Sequence, residues 1–288
     1  MSKYKLSERA CLMRLSVGLP GKNRQDKGLS ETVKSEHALG RNAGRWVKQK
    51  YPDWALEPIE KLVNEARAYH AQVTLPFDAG IGILPAALIA EYGDKMREFK
   101  GRFDHLRDSH FRAKYPEMVD WAKAEHNGTF DASDYPPADE VCESFTFRSE
   151  VQPVPGAEHF SETVKTLLGV DTESVDLRVN DAMQEAQREL VRRLIAPVRA
   201  MATKLQEQPK EGKDCPVFRD TLIGNLREIA GLAPKLNIAG DPAIAAFVKD
   251  IERLGSVEPQ TLRESASNRA AVANEAEAVL KRLEGYAL

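Results

Sequence analysis

Residues 85–110, PAALIAEYGDKMREFKGRFDHLRDSH, decide the fold class. Leu88, Tyr92, Met96, Phe99, Phe103, Leu106 and His110 recur in steps of three and four, which predicts one face of an α-helix with Pro85 at its first position. The mean step, about 3.7, belongs to a straight helix rather than to the 3.5 of a left-handed supercoil. A second stripe of the same period runs through Val179, Met183, Ala186, Leu190, Leu194, Val198, Met201 and Leu205, and Pro197 inside it is expected to kink or split the helix. Further helices are predicted from the N-cap Asp53 through Ile59, Leu62, Val63, Ala66, Tyr69 and Val73, over 29–50 despite Gly40 and Gly44, over about 216–231, and over 242–254 behind Asp241-Pro242. The last, about 259–284, is expected to bury Leu262, Ala266, Ala270, Ala273, Ala276, Leu280 and Leu283.

Two segments read as strands instead. Cys11, Met13, Leu15 and Val17 alternate with Leu12, Arg14 and Ser16 up to Gly18, and Phe145, Phe147 and Val151 alternate with Thr146, Arg148 and Glu150 before Pro153. The fold expected is mainly α: an elongated helical bundle with long antiparallel helices and a small two-stranded β element, residues 10–18 with 144–152. The polar stretch Gln206–Pro216 suggests a division into a helical body, 1–206, and a C-terminal helical segment, 215–288, that packs on it or forms a small subdomain. A second irregular stretch covers Asn127–Glu143 and is rich in acids.

The composition of the 288 residues, 42% hydrophobic and 30% charged, is that of a globular domain, and no run approaches the roughly 18 apolar residues of a membrane-spanning helix. The N-terminus lacks the apolar core of a signal peptide, so a cytoplasmic chain is expected. Cys11, Cys142 and Cys215 are far apart and free of ligand-spaced histidines, which suits free thiols in a reducing compartment. Charge is unevenly spread. Residues 1–50 hold twelve Lys/Arg against four Asp/Glu, a net +8, and with −3 overall the remaining 238 residues carry −11. Such an imbalance marks a surface for an acidic partner, or a contact within the protein or its oligomer.

Motifs for chemistry are sparse. Gly21-Lys22 and Gly212-Lys213 lack the flanking glycine and Ser/Thr of a phosphate loop. Asp78-Ala79-Gly80-Ile81-Gly82 follows no recognisable strand, so no dinucleotide site is expected, and there is no G-x-S-x-G. Asp104, His105, Asp108 and His110 include one i, i+3 pair, His105 and Asp108, but do not converge on a helix, and Asp131, Asp134, Asp139 and Glu140 lack calcium-loop spacing and read as a solvated loop. No catalytic residue, metal or cofactor is expected. The best functional surface is basic: if 29–50 is helical, Lys34, Arg41, Arg45 and Lys48 share one stripe, with Lys22, Arg24 and Lys27 in the loop before it and Trp46 available for stacking or for packing.

Several short motifs in order carry a resemblance. Val73-Thr-Leu-Pro-Phe77, Leu84-Pro-Ala-Ala87, Tyr115-Pro116, Phe130-Asp-Ala-Ser-Asp-Tyr-Pro136, Phe145-Thr-Phe147 and Val151-Gln-Pro-Val-Pro155 resemble a mainly helical domain-of-unknown-function family of phages and prophages. Its members are often encoded near MoxR- or cobaltochelatase-like AAA+ ATPases and von Willebrand A-domain proteins. The resemblance therefore implies a non-enzymatic interaction or adaptor protein, an accessory of an AAA+ ATPase assembly, with the basic N-terminal face or the Asn127–Glu143 loop as contact surface. Protein partners are expected, a homo-oligomer is compatible, and no membrane is implicated. The alternative is a nucleic-acid-binding or recombination accessory protein using Lys22, Arg24, Lys27, Lys34, Arg41, Arg45 and Lys48. A third reading, a metal-dependent enzyme, would centre on His105 and Asp108.

Overall fold

A computed structural model describes residues 6–156, 161, 172–206 and 220–287. The chain is mainly helical, and it divides into two compact units: one of residues 1–14, 71–90 and 151–288, the other of 15–70 and 91–150. The division expected at 206–215 falls at residues 207–219, outside the described ones; the helices after 219 share a unit with the long helix before them. Among the described residues, no helix is long and apolar enough to cross a membrane.

The anticipated strands are present as β1 (Ala10–Gly18) and β6 (Thr146–Gln152), and they are neighbours. Gly18 donates its N–H to Thr146 Oγ1 at 3.1 Å, and a Cβ at Gly18 would meet that oxygen at 2.6 Å, so the close approach requires glycine. The sheet is larger than the expected pair. A hairpin of β4 (Leu75–Asp78) and β5 (Ile81–Pro85) extends it to four strands, β4-β5-β1-β6, with Leu12 opposite Ile83 and Cys11 opposite Leu84. Residues 73–85 therefore correct the reading of Pro85 as a helix start. Pro76 is tolerated because β4 is an edge strand, Gly80 turns the hairpin at φ +73°, and Gly82 leaves room for the buried Thr74. The glycine-rich segment thus runs into a strand, not a helix, which is incompatible with a dinucleotide loop.

In the unit of residues 15–70 and 91–150, α2 (Asp53–Val73) follows its predicted bounds, and α3 (Ile89–Leu106) carries Tyr92, Met96, Phe99 and Phe103 inward. The helical path continues past His110. A π-helical turn, Arg107–Arg112, passes into α4 (Ala113–His126), and Pro116, four residues past Arg112, sits where the α-helical ladder is already interrupted. The core is aromatic: Phe103 meets Phe147 at 5.5 Å between centroids, and Phe111 meets Phe145 at 4.8 Å and Tyr51 at 5.3 Å. Tyr115 donates to Pro136 O at 2.8 Å, and burial pushes its phenol pKa up to about 12.

In the other unit, α6 (Thr172–Gln206) buries Ala186, Leu190, Leu194, Val198, Met201 and Leu205 of the predicted stripe, while Val179 and Met183 at its start are only half-buried, and Pro197 is held within one uninterrupted helix rather than splitting it. It packs on β4 and on the helices after residue 219. These are α7 (Asp220–Leu236), α8 (Pro242–Gly255), α9 (Pro259–Glu264) and α10 (Ala266–Ala287). Asp241 caps α8 by accepting from Ala243 N at 2.8 Å. The single helix expected over 259–284 is broken at Ser265, whose backbone is extended and whose Oγ accepts from Asn268 N, starting α10 afresh. Ala266 and Ala270 consequently face solvent, Leu280 is half-buried, and Val279 joins Leu262, Ala273, Ala276 and Leu283 in the core.

Candidate interaction surface

The basic segment does not form the expected helix. Helix α1 covers only Lys27–Glu36, capped by Asp26, whose Oδ1 accepts from Leu29 N at 2.9 Å. The cap is followed by only one polar-faced helical stretch, with a single buried side chain, Ser30, and the helix ends before Ala38 at φ +49°. The chain then returns as β3 (Trp46–Gln49), antiparallel to β2 (Asn23–Asp26). Ser30 Oγ fixes the return by accepting from Trp46 N at 2.8 Å. Gly40 and Gly44, which weaken a helix, sit in the open connection with nothing within 4 Å of a Cβ.

The ribbon register places Arg24 directly opposite Lys48. Like charges in that position repel, and a carboxylate resolves the conflict. Asp134 lies 2.6 Å from Arg24 Nη1 through Oδ1, a charge contact not aligned as a hydrogen bond, and 3.7 Å from Lys48 Nζ through Oδ2. Lys48 also reaches Asp26 Oδ2 at 2.9 Å and donates to Thr129 O at 2.8 Å. Both Lys48 and Asp134 are buried, at 8% and 5% exposure. Asp134 is brought there by a short turn in which Asp131 accepts from Ser133 N at 2.9 Å. His126 Nε2 donates to Gln49 O at 2.8 Å, the carbonyl being able only to accept, and so ties the end of α4 to β3.

Electrostatics follow from this geometry. The Leu29 N–H and then Lys48 hold the Asp26 carboxyl below its usual range, and the Ser133 N–H does the same for Asp131. Burial lowers the Lys50 ammonium, against the pull of Asp134, and Lys50 lies over the rings of Tyr51 at 5.3 Å and Tyr135 at 5.9 Å. The Asn127–Glu143 stretch is therefore not simply a solvated acidic loop: its Asp134 is turned inward onto the basic ribbon.

The seven basic residues singled out in the sequence thus divide. Lys22 pairs with Glu60 at 2.7 Å, Lys34 with Glu31 at 3.2 Å, and Arg24 and Lys48 with the carboxylates above. Lys27, Arg41 and Arg45 are exposed and have no ion pair or hydrogen bond to another described side chain. They are not a single helical stripe. Arg41 and Arg45 belong to an arm, residues 37–47, whose every residue is exposed and which also presents Leu39, Trp46 and Val47 at 46%, 49% and 53%. From 37 to 52 there is no Asp or Glu.

The Asp104–His110 cluster is occupied by its own neighbours. Arg107 pairs with Asp104 at 3.2 Å and Asp108 at 2.9 Å, and His110 Nε2 donates to Trp54 O at 3.0 Å. Arg107 and, more weakly, Arg112 and His105 hold the Asp108 carboxyl below its usual range. Among the described residues, no three His, Cys, Asp or Glu side chains are grouped to hold a metal ion. Cys142 is buried and Cys11 half-buried on β1, both as free thiols, and burial raises the Cys11 pKa.

Sequence reasoning found Arg41, Arg45 and Trp46 but placed them on the wrong element, and it missed the part of Asp134. The available signals were the two glycines and the adjacent Trp46-Val47 pair, which favours a short strand over a helix end. Compared with known proteins, the chain matches no family model, no curated protein and no solved structure.

Proposed function

We propose that this chain is a non-enzymatic interaction protein whose contact surface is the arm of residues 37–47. The observation that carries the reading is the unbroken exposure of that arm, with three large apolar side chains and two arginines unpaired among the described residues, on a base held by buried charge. Aromatic and arginine side chains of this kind are where binding energy concentrates at interfaces. The resemblance of its short motifs to a phage family supports a role as an accessory of an AAA+ ATPase assembly, with the arm as the part that engages a partner.

Photocrosslinking in the producing cell tests this. With Trp46 replaced by a benzophenone amino acid, crosslinks to a macromolecule are expected, and none from the same group at Lys281, an exposed position on α10. Equal yield at both positions, or none at 46, contradicts the reading.

A further inference from the structure

We infer that the arm binds single-stranded nucleic acid, with Trp46 as a stacking platform and Arg41, Arg45 and Lys27 as phosphate contacts. The inference rests on the reading of the arm as the contact surface and names its occupant. Charge complementarity carries it: three cations without partners among the described residues stand on or beside a segment with no carboxylate from 37 to 52, in a protein whose net charge is −3. A single strand uses the indole for a base and the three cations for its phosphates.

The placement of each group fits that ligand. Lys27 opens α1 immediately after β2, and Trp46 opens β3 across from Asp26, so the register brings Lys27 and Trp46 to the same end of the ribbon. Asp26 does not repel a phosphate there with its full charge, because Lys48 is paired with it at 2.9 Å. Gly40 and Gly44 flank Arg41 and precede Arg45, and with nothing within 4 Å of either Cβ position the backbone is open to close approach by a sugar-phosphate chain. A half-exposed indole stacks on a base only when that base is unpaired, so a single strand is the ligand rather than a duplex.

The structure also sets the size of the effect. Of the seven basic residues, four are spent on internal carboxylates, so about three phosphates are neutralised, and log K should fall against log salt with a slope of about −2. The experiment is fluorescence anisotropy of the full chain with labelled oligothymidylate of about 20 nucleotides, across about 50–300 mM salt. Trp46→Ala is expected to weaken binding about tenfold and Trp46→Phe far less, since any aromatic ring stacks. Arg41→Glu with Arg45→Glu should abolish binding, while Arg41→Lys with Arg45→Lys should retain it, because a point charge suffices for phosphate. All these positions are exposed, and an unchanged thermal melt verifies folding in each variant.

Absence of binding at low salt, or binding indifferent to these substitutions, overturns the inference. Tighter binding of a duplex of the same length also overturns it, since stacking on Trp46 would then contribute nothing. The crosslinking at position 46 separates the two levels of failure. Crosslinks to protein alone leave the arm as the contact surface and remove nucleic acid as its occupant; the absence of any crosslink removes both.

Discussion

Asp134→Ala is expected to destabilise the protein by about 3 kcal/mol, the lower end of what removal of one partner from a buried ion pair costs. The carboxylate is 5% exposed and separates two cations that the ribbon register sets face to face, Arg24 and Lys48. Without it Arg24, half-exposed, relaxes into water at little cost. Lys48 cannot: it is 8% exposed and retains only Asp26 and the Thr129 carbonyl. The loss should therefore be recovered in large part by Asp134→Ala combined with Lys48→Met, which replaces the stranded ammonium with an apolar chain of similar length. Urea denaturation followed by tryptophan fluorescence measures both. A loss under about 1 kcal/mol for Asp134→Ala would mean that the side chain is solvated and the ribbon is held by other means.

Phe103→Ala is expected to be the most damaging single truncation, about 3–5 kcal/mol, because it removes a fully buried ring from a packed aromatic cluster. Phe103 lies 6.1 Å from Phe145 and 5.5 Å from Phe147, and Phe145 in turn meets Phe111. Helix α3 and strand β6 thus share one aromatic core. Phe103→Leu preserves most of the volume and should cost under about 1.5 kcal/mol. Comparable losses for the two variants in denaturant titration would contradict the packing described.

The helical framework was legible because burial is periodic. The stripes at Leu88–Phe103 and Val179–Leu205 are long, and a helix that must bury one face over many turns cannot hide that pattern. Two runs of alternation marked β1 and β6 as strands, but alternation does not name a strand's partner, and burial along them is uneven: Leu12 lies inward beside Met13, and Val151 is exposed. The β4–β5 hairpin was not legible, because Pro76 and Pro85 mimic helix punctuation and its residues, buried as a near-continuous run from Gly82 to Pro85, do not alternate. Likewise the alanine-rich tail from 259 has apolar residues on every face, and only Ser265 shows where the backbone breaks.

The candidate surface was half legible. Composition revealed an excess of positive charge before residue 51, and the functional reading followed the count. What no count contains is the partner of each charge. Asp134 lies 86 residues beyond Lys48, and its approach depends on a turn set by Asp131 and Ser133. Once that contact forms, most of the basic segment serves the fold, and the part left for a partner is the arm at Arg41, Arg45 and Trp46.

The division of the basic segment into an inward root and a free arm is most directly tested by chemical labelling of the native protein. Brief treatment with an amine-acylating reagent, read by mass spectrometry, is expected to modify Lys27 readily and leave Lys48 protected, while a dicarbonyl reagent modifies Arg41 and Arg45. Acylation of Lys48 at the rate of Lys27 would show that the ribbon is not anchored on Asp134 and would contradict the account.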